Sequence, residues 1–423
     1  MNMITQALGR FAAVSDWKIN MHKKHSYELF FVKGKLETLR CTDTCDKVVT
    51  VYAAHGDYLG DAQFHVYPST TAQELDALIQ EAVDKALLIR NKVYTLPGAV
   101  TGGYQVKSNF ENCPVHELAA KIAKNVFDAN TVENGSLNSV EIFINRHEDT
   151  ILNSRGLHKT QTRYNAMVEA IPTYTGNDQS VELYEQYNFA SYDEDALIRE
   201  IAAQMKAVKA RHDAVTPAEI PSCPVVLNIQ ELSEMFSHLV GDLHYSAVYS
   251  NANLHSKGDA LQKNPTGDKI TITMAGQVNG SVRSSAFDGD GLTLSSIRLV
   301  SDGVVENYYG GNRYGQYLGE TPTGELRCVC LDPGSAGDAD FEIPCLEVVS
   351  MSGLQTDAYN DYVGGEIRLA YYRDGEKTIP MTGISISGKL SEVLSSIRLS
   401  SRIATRDGYH GPEKAIITAM SIF

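Results

Sequence analysis

The sequence predicts an α+β fold: an N-terminal α/β-sandwich-like domain over residues 1–220, then a mainly antiparallel β C-terminal domain over residues 221–423. Three observations predict it. Strand-like and helix-like patterns alternate through the first half. Three prolines, Pro217, Pro221 and Pro224, interrupt the chain near its middle. From Lys269 onward nearly every segment alternates apolar and polar residues with the two-residue period of a strand.

The elements follow in order. Tyr27 to Val32 and Lys47 to Tyr52 are rich in aromatic and β-branched residues and read as strands. The glycines of HGDYLGD, within Val51 to Phe64, place a hairpin-like reversal there. Thr71-Ala-Gln-Glu74 is a capping box, in which hydroxyl and carboxylate satisfy each other's free backbone amides. Behind it Leu75, Leu78, Ile79, Ala82, Val83, Ala86 and Leu87 form one apolar stripe, a helix packed on a sheet. A second helix opens near Pro114. A third runs from about Asp193 with Leu197, Ile198, Ile201, Met205 and Val208 facing inward, and strands at Ser139 to Asn145 and Arg163 to Tyr174 lie between them. After the prolines, the short strand Val225 to Leu227 leads into a helix that Asn228 caps, with Glu231 three residues on. KITITMAG, GLTLSSIRLV, ELRCVCLD, EIRLAYYRDGEKTIPMTGISISG and AIITAMSIF supply later strands; Asp302-Gly303 and Asp374-Gly375 mark two-residue hairpin turns.

Composition excludes several classes. With 43% hydrophobic and 21% charged residues, the chain is globular rather than disordered. No apolar run approaches the ~18 residues that span a bilayer, and the N-terminus lacks the pattern of a signal peptide. The expected location is the cytoplasm, with no membrane partner. A net charge of −15 without a Lys/Arg-rich run argues against direct nucleic-acid binding. Seven cysteines, at 41, 45, 113, 223, 328, 330 and 345, are thinly spread, and an odd count in a chain this large argues against a disulfide framework, so they read as reduced thiols.

The candidate site is the helix of residues 228–245. In ELSEMFSHLVGDLHY, Leu232, Met235, Phe236, Leu239, Val240 and Leu243 make the buried stripe, while His238 and Asp242, four apart, share another face. A zinc-peptidase helix sets two imidazoles on one face to hold zinc and a glutamate to polarise its water. Here His238 and Asp242 are the available pair; His244 lies off that face, and a third ligand would have to come from His255 or His410. A satisfied polar helix face outweighs a metal site. Phe287-Asp-Gly-Asp-Gly291 lacks the later glutamate of a calcium loop and reads as a turn. Asn153-Ser154-Arg155-Gly156 is not a nucleophile elbow and reads as a polar turn. No phosphate-binding glycine loop is present, so no cofactor-binding residues are expected.

These segments, in this order, resemble the TldD/PmbA family, once called modulators of DNA gyrase. NSRG with the strand around Tyr164, PVVLNIQELSEMFSHLVGDL, FDGDGLTLSSIRLVSDG and GGEIRLAYYRDGEKTIPMTGISISGKLSEVLSSI carry the resemblance, which runs from about Tyr27 to Phe423. It implies a two-domain α+β subunit that dimerises, in bacteria as a heterodimer of two related chains. The catalytic TldD-type chain carries H-E-x-x-x-H and a cysteine near its C-terminus as a further zinc ligand. Matching Val240-Gly241 to that motif puts Ser237 at the first histidine, His238 at the glutamate and Asp242 at the second histidine. No cysteine follows Cys345, where the relevant stretch reads RDGYHGPEKAII. The resemblance therefore implies the noncatalytic, PmbA/TldE-type sister, with no metal of its own, zinc in a TldD-type partner subunit, and unfolded peptides as substrate in a shared chamber lined partly by second-half strands. A homodimer is an alternative assembly. A self-sufficient metallopeptidase with a rearranged site and a regulatory, gyrase-modulator-type interaction protein are the alternative functions.

Overall fold

The computed structural model describes residues 2–423. In the first half, strands β1 (Asp16–Val32), β2 (Lys35–His55), β3 (Tyr58–His65), β4 (Thr101–Gln105), β5 (Gly135–Asn153), β6 (His158–Gly176), β7 (Gln179–Glu182) and β8 (Glu185–Phe189) form one eight-stranded sheet. Its order is β3-β2-β1-β5-β6-β4, with β7 and β8 also paired to β6, and only the β4–β6 pair is parallel. Helices α1 (Asn2–Leu8), α2 (Ala72–Ala86), α3 (Val115–Asp128) and α4 (Glu194–Asp213) cover one face. Ile19 packs with α1 and α2, whereas Leu29 on the same strand packs with α3 and α4. An even separation along a strand keeps both side chains on one face, so all four helices share it.

Local signals set the helices. Thr71 Oγ1 accepts from the Glu74 amide at 3.2 Å and Glu74 Oε2 accepts from the Thr71 amide at 2.8 Å, completing the capping box. Leu75, Ile79, Ala82, Val83 and Ala86 are buried, while Leu87 falls at the C-cap and is exposed. Asp193 caps α4 through the Ala196 amide.

The strands run well past the apolar segments that announce them. Residues 35–41 of β2 are exposed, and ladder pairing with β1 keeps them extended without burial. Lys33 and Gly34, both at positive φ, close that hairpin as a two-residue turn.

The second half holds strands β9 (Val225–Asn228), β10 (Ile272–Ala275), β11 (Ser296–Ser301), β12 (Val304–Val305), β13 (Cys328–Leu331), β14 (Cys345–Met351), β15 (Gln355–Asp357) and β16 (Tyr362–Arg373). Strands β17 (Thr378–Met381), β18 (Ile384–Gly388), β19 (Arg398–Leu399), β20 (Ile403–Arg406), β21 (Tyr409–Pro412), β22 (Lys414–Ile417) and β23 (Ser421–Ile422) complete it. A six-stranded sheet runs β12-β11-β10-β13-β21-β20, and a nine-stranded sheet runs β19-β22-β9-β14-β16-β18-β23 with β15 and β17 on β16. Antiparallel pairing dominates; β13–β21 and β9–β14 are parallel. Helix α5 (Ile229–Gly241) packs against strands of both sheets, and its apolar stripe is part of the core between them.

One expected turn differs. Asp302 and Gly303, both at positive φ, form the two-residue β11–β12 turn. Asp374-Gly375 instead belongs to a four-residue loop, because Arg373 pairs with Thr378. The Asp374 carboxylate accepts from the amides of Glu376 and Lys377, which favours the longer turn.

Candidate functional site

Helix α5 is positioned by its own ends. Val225, Val226 and Leu227 are buried in the sheet, and Asn228 Oδ1 accepts from the Gln230 amide at 2.8 Å. Leu232, Met235, Phe236, Leu239 and Val240 face the core. Ser237 and His238 consequently face outward and are exposed, and His238 has no hydrogen-bond partner among the described residues.

The helix expected to reach residue 245 stops at Gly241. Asp242, its C-cap, turns its carboxylate onto the following loop: Oδ1 accepts from the Leu254 amide at 2.5 Å, and Oδ2 accepts from the His255 amide at 3.1 Å. His255 Nδ1 lies 2.9 Å from the same Oδ2. His244 then opens a short helix, α6 (Tyr245–Tyr249), with its Nδ1 accepting from the Ser246 amide. Its Nε2 sits 2.9 Å from Glu325, and that hydrogen bond holds the Glu325 carboxyl below its usual range despite burial. His410, on β21, has Nδ1 2.8 Å from the Thr405 hydroxyl.

Of the candidate ligands, the fold thus brings together Asp242 and His255 and sends His238, His244 and His410 to separate surroundings. Among the described residues, no three His, Cys, Asp or Glu side chains converge as a metal-holding group. An exposed serine, an exposed imidazole and a carboxylate whose two oxygens already accept hydrogen bonds do not fit zinc.

The weaker motifs build the contact between the two halves. Asp288 accepts from the amides of Asp290, Leu292 and Glu325, which makes its loop a self-capped turn. Burial, with Asp290 nearby, pushes the Asp288 carboxyl up to about 6. The loop meets the helix-free face of the first sheet, where Asp290 pairs with Lys18 and the buried Lys159 donates to Gly291 O and Thr293 Oγ1. Asn153 Oδ1 accepts from the amides of Arg155 and Leu157, and Arg155 pairs with Asp16, so this segment is the polar turn its sequence indicates.

Sequence reasoning placed Glu231 three residues past the Asn228 cap and missed its burial beside a cleft. It is only 2% exposed, its Oε2 has no hydrogen-bond partner among the described residues, and burial pushes its carboxyl up to about 8. It lines a cleft of about 680 Å³ between β8 and α4 on one side and α5, the end of β14 and Arg406 on the other. The available signal was its spacing: Glu231, Met235 and Leu239 fall on one buried stripe of α5, where a carboxylate is out of place.

Residues 221–422, which include this helix, match the family model for the PmbA/TldA metallopeptidase C-terminal domain. These residues therefore form a C-terminal domain of the PmbA/TldD family. No curated protein sequence matches it. Solved structures of similar fold include TldE from Thermococcus kodakarensis, at TM-score 0.81 and 15% identity over 100% of this chain and 99% of that one. Two proteins named as modulators of DNA gyrase are also similar. The one from Thermotoga maritima has TM-score 0.77 and 13% identity, covering 100% of both chains. The one from Bacteroides thetaiotaomicron has TM-score 0.74 and 13% identity, covering 100% of this chain and 98% of that one. The fold of these three proteins therefore extends over both halves of this chain. Among the described residues, no helix is long and apolar enough to cross a membrane.

Proposed function

We propose that this chain is the noncatalytic partner of a TldD-type zinc metallopeptidase, acting with that sister subunit on unfolded peptides in the cytoplasm. The observation that carries the reading is what Asp242 does. At the position matching the second metal histidine, its carboxylate accepts the backbone amides of Leu254 and His255. A residue committed to bracing a loop is not available to a metal, and Ser237 and His238 offer only one imidazole beside it. Zinc and the water it activates would then belong to the partner chain. The fold shared with a TldE protein over nearly the full length of both chains supports the assignment to this branch.

The test is reconstitution with and without a TldD-type subunit. The chain alone is expected to retain no zinc after dialysis and to leave an unfolded peptide intact. The pair is expected to hold one zinc and to cleave. One zinc per isolated chain, lost in His238→Ala together with cleavage, would establish a self-sufficient peptidase instead.

A further inference from the structure

The cleft beside α5 has an uneven polar balance. Ten buried side-chain atoms among the described residues lack a hydrogen-bond partner, and four belong to residues lining this one cavity: Tyr187 Oη, Gln204 Oε1, Glu231 Oε2 and Arg406 Nε. Tyr187 is 5% exposed and Glu231 2%. Buried polar atoms are ordinarily paired, so such a concentration marks a place where a ligand's groups complete the bonding. Five carboxyl groups, those of Glu185, Glu200, Glu231, Glu234 and Asp407, line the cleft against three guanidinium groups. Arg406 lies nearest the buried carboxyls, yet its contact with Glu185 is a long 3.9 Å. Burial raises Glu185, Glu200 and Glu231 even with that guanidinium lowering each of them. Carboxyls in that condition gain from a further cation.

The shape of the wall narrows the class of cation. Consecutive residues 184–188 all line the cleft, so β8 presents its edge to the cavity rather than one face. Among the described residues strand β8 pairs with β6 alone, which leaves the opposite edge without a strand partner. Across from it lies the end of β14, where the ladder to β16 is irregular between Val348 and Met351. An open strand edge offers alternating amides and carbonyls to an extended chain. A primary ammonium brings three N–H donors, and three of the unpartnered atoms are oxygens able to accept them.

We propose that this cleft binds the N-terminal end of an extended peptide, its α-ammonium held by Glu231, Tyr187 and the surrounding carboxyls and its backbone laid along the free edge of β8. The inference rests on the peptide-handling reading above and adds a point of capture to it. Glu234 lies one turn before His238, so the cleft opens onto the helix face that bears Ser237 and His238. A peptide held by its first residue here would pass along that face.

The test is a calorimetric titration of the full chain with three probes: tetraalanine amide, its N-acetylated form, and an N-acetylated form ending in lysine amide. Acetylation removes the α-ammonium and keeps the backbone; the third probe restores an ammonium on a side chain. The free-amine peptide is expected to bind, and acetylation to weaken binding at least tenfold whether or not lysine is present. Glu231→Gln should weaken the free-amine peptide by about tenfold, and Tyr187→Phe by less, the scale of losing one charge-assisted or one neutral hydrogen bond. Cooperative melting at temperatures no lower than the parent's would show that both variants are folded. Equal binding of the acetylated peptide, restored binding of the lysine peptide, no binding of the free-amine peptide, or an unchanged affinity in both variants overturns the site. Cleavage by the reconstituted pair is read separately. Zinc-dependent cleavage without ammonium-dependent binding removes this inference and leaves the partner-subunit reading standing.

Discussion

Asp242 and His255 are joined by a 2.9 Å contact between Oδ2 and Nδ1, and the same carboxylate accepts the backbone amides of Leu254 and His255. The pair ties the end of α5 to the loop beyond α6. Asp242→Ala strands the part-buried His255 amide and the more exposed Leu254 amide, and is expected to cost about 2 kcal/mol in urea unfolding. Asp242→His, which places an imidazole where the resemblance puts the second histidine of the zinc motif, should lose stability by a similar amount and still retain no zinc on dialysis. Zinc retention by that single variant would show that Asp242 was the only missing ligand.

Gly303 tests the turn chemistry of the second half. It sits at φ +81°, and a Cβ there would approach Gln262 Oε1 to 2.6 Å. That oxygen accepts from the Ile270 amide at 2.8 Å, while Gln262 Nε2 donates to the carbonyls of Asp268 and Leu394. Gly303→Ala therefore meets both backbone strain and a side chain that has no freedom to move. A loss of about 2–3 kcal/mol is expected in chemical denaturation, against about 1 kcal/mol for the same change at the exposed Gly375, where nothing lies within 4 Å.

What could be read from the sequence follows from how local each signal is. Thr71 with Glu74, and Asp193 before α4, announce helices because cap and stripe lie within one segment. The length of β2 could not be read, since Lys35 to Arg40 are exposed and held by a ladder to β1 rather than by an apolar face. The site divides in the same way. The outward position of Ser237 and His238 follows from the helical stripe alone. The use of Asp242 depends on residues 254–255, and the surroundings of Glu231 depend on β8, α4 and Arg406, all distant in the chain. Spacing along α5 marks Glu231 as misplaced but does not say what faces it.

Asp149 concentrates charge on the helix-free face of the first sheet. Burial opposes its ionisation, but hydrogen bonds from His22, Arg163 and Gln161 and the Arg163 charge outweigh that and hold it well below the usual carboxylate range. His147 is stacked on His22 and pushed down to about 4, by burial first and then by Arg163. A depressed carboxyl contributes stability that is present above its unfolded value, near 4, and is lost as pH falls toward the folded one. Asp149→Asn is accordingly expected to cost about 2–3 kcal/mol at pH 7, with the difference from the parent shrinking between pH 4 and pH 2. Unfolding curves at pH 7, 4 and 3 read this directly, and a difference independent of pH would mean that Asp149 acts through shape alone.

Glu231 predicts the opposite slope. Its carboxyl is raised to about 8 in the folded chain, by burial first and with Glu234 adding to it, while Arg406 and the Glu231 and Asn228 amides oppose the rise. Glu185 and Glu200 are the other carboxyls that face it across the cleft. Between about pH 4.5 and 8 the unfolded chain has released this proton and the folded chain keeps it, so folding becomes less favourable as pH rises through that window. Glu231→Gln has the same shape and no proton to lose. Relative to the parent it should gain roughly 3 kcal/mol between pH 5 and pH 8, visible as melting temperatures that are close at pH 5 and diverge upward. Adding tetraalanine amide at pH 8 should close part of that gap by stabilising the parent more than the variant, because an ammonium beside Glu231 favours the carboxylate. A gap that the peptide leaves untouched would separate the buried carboxyl from any role in capture.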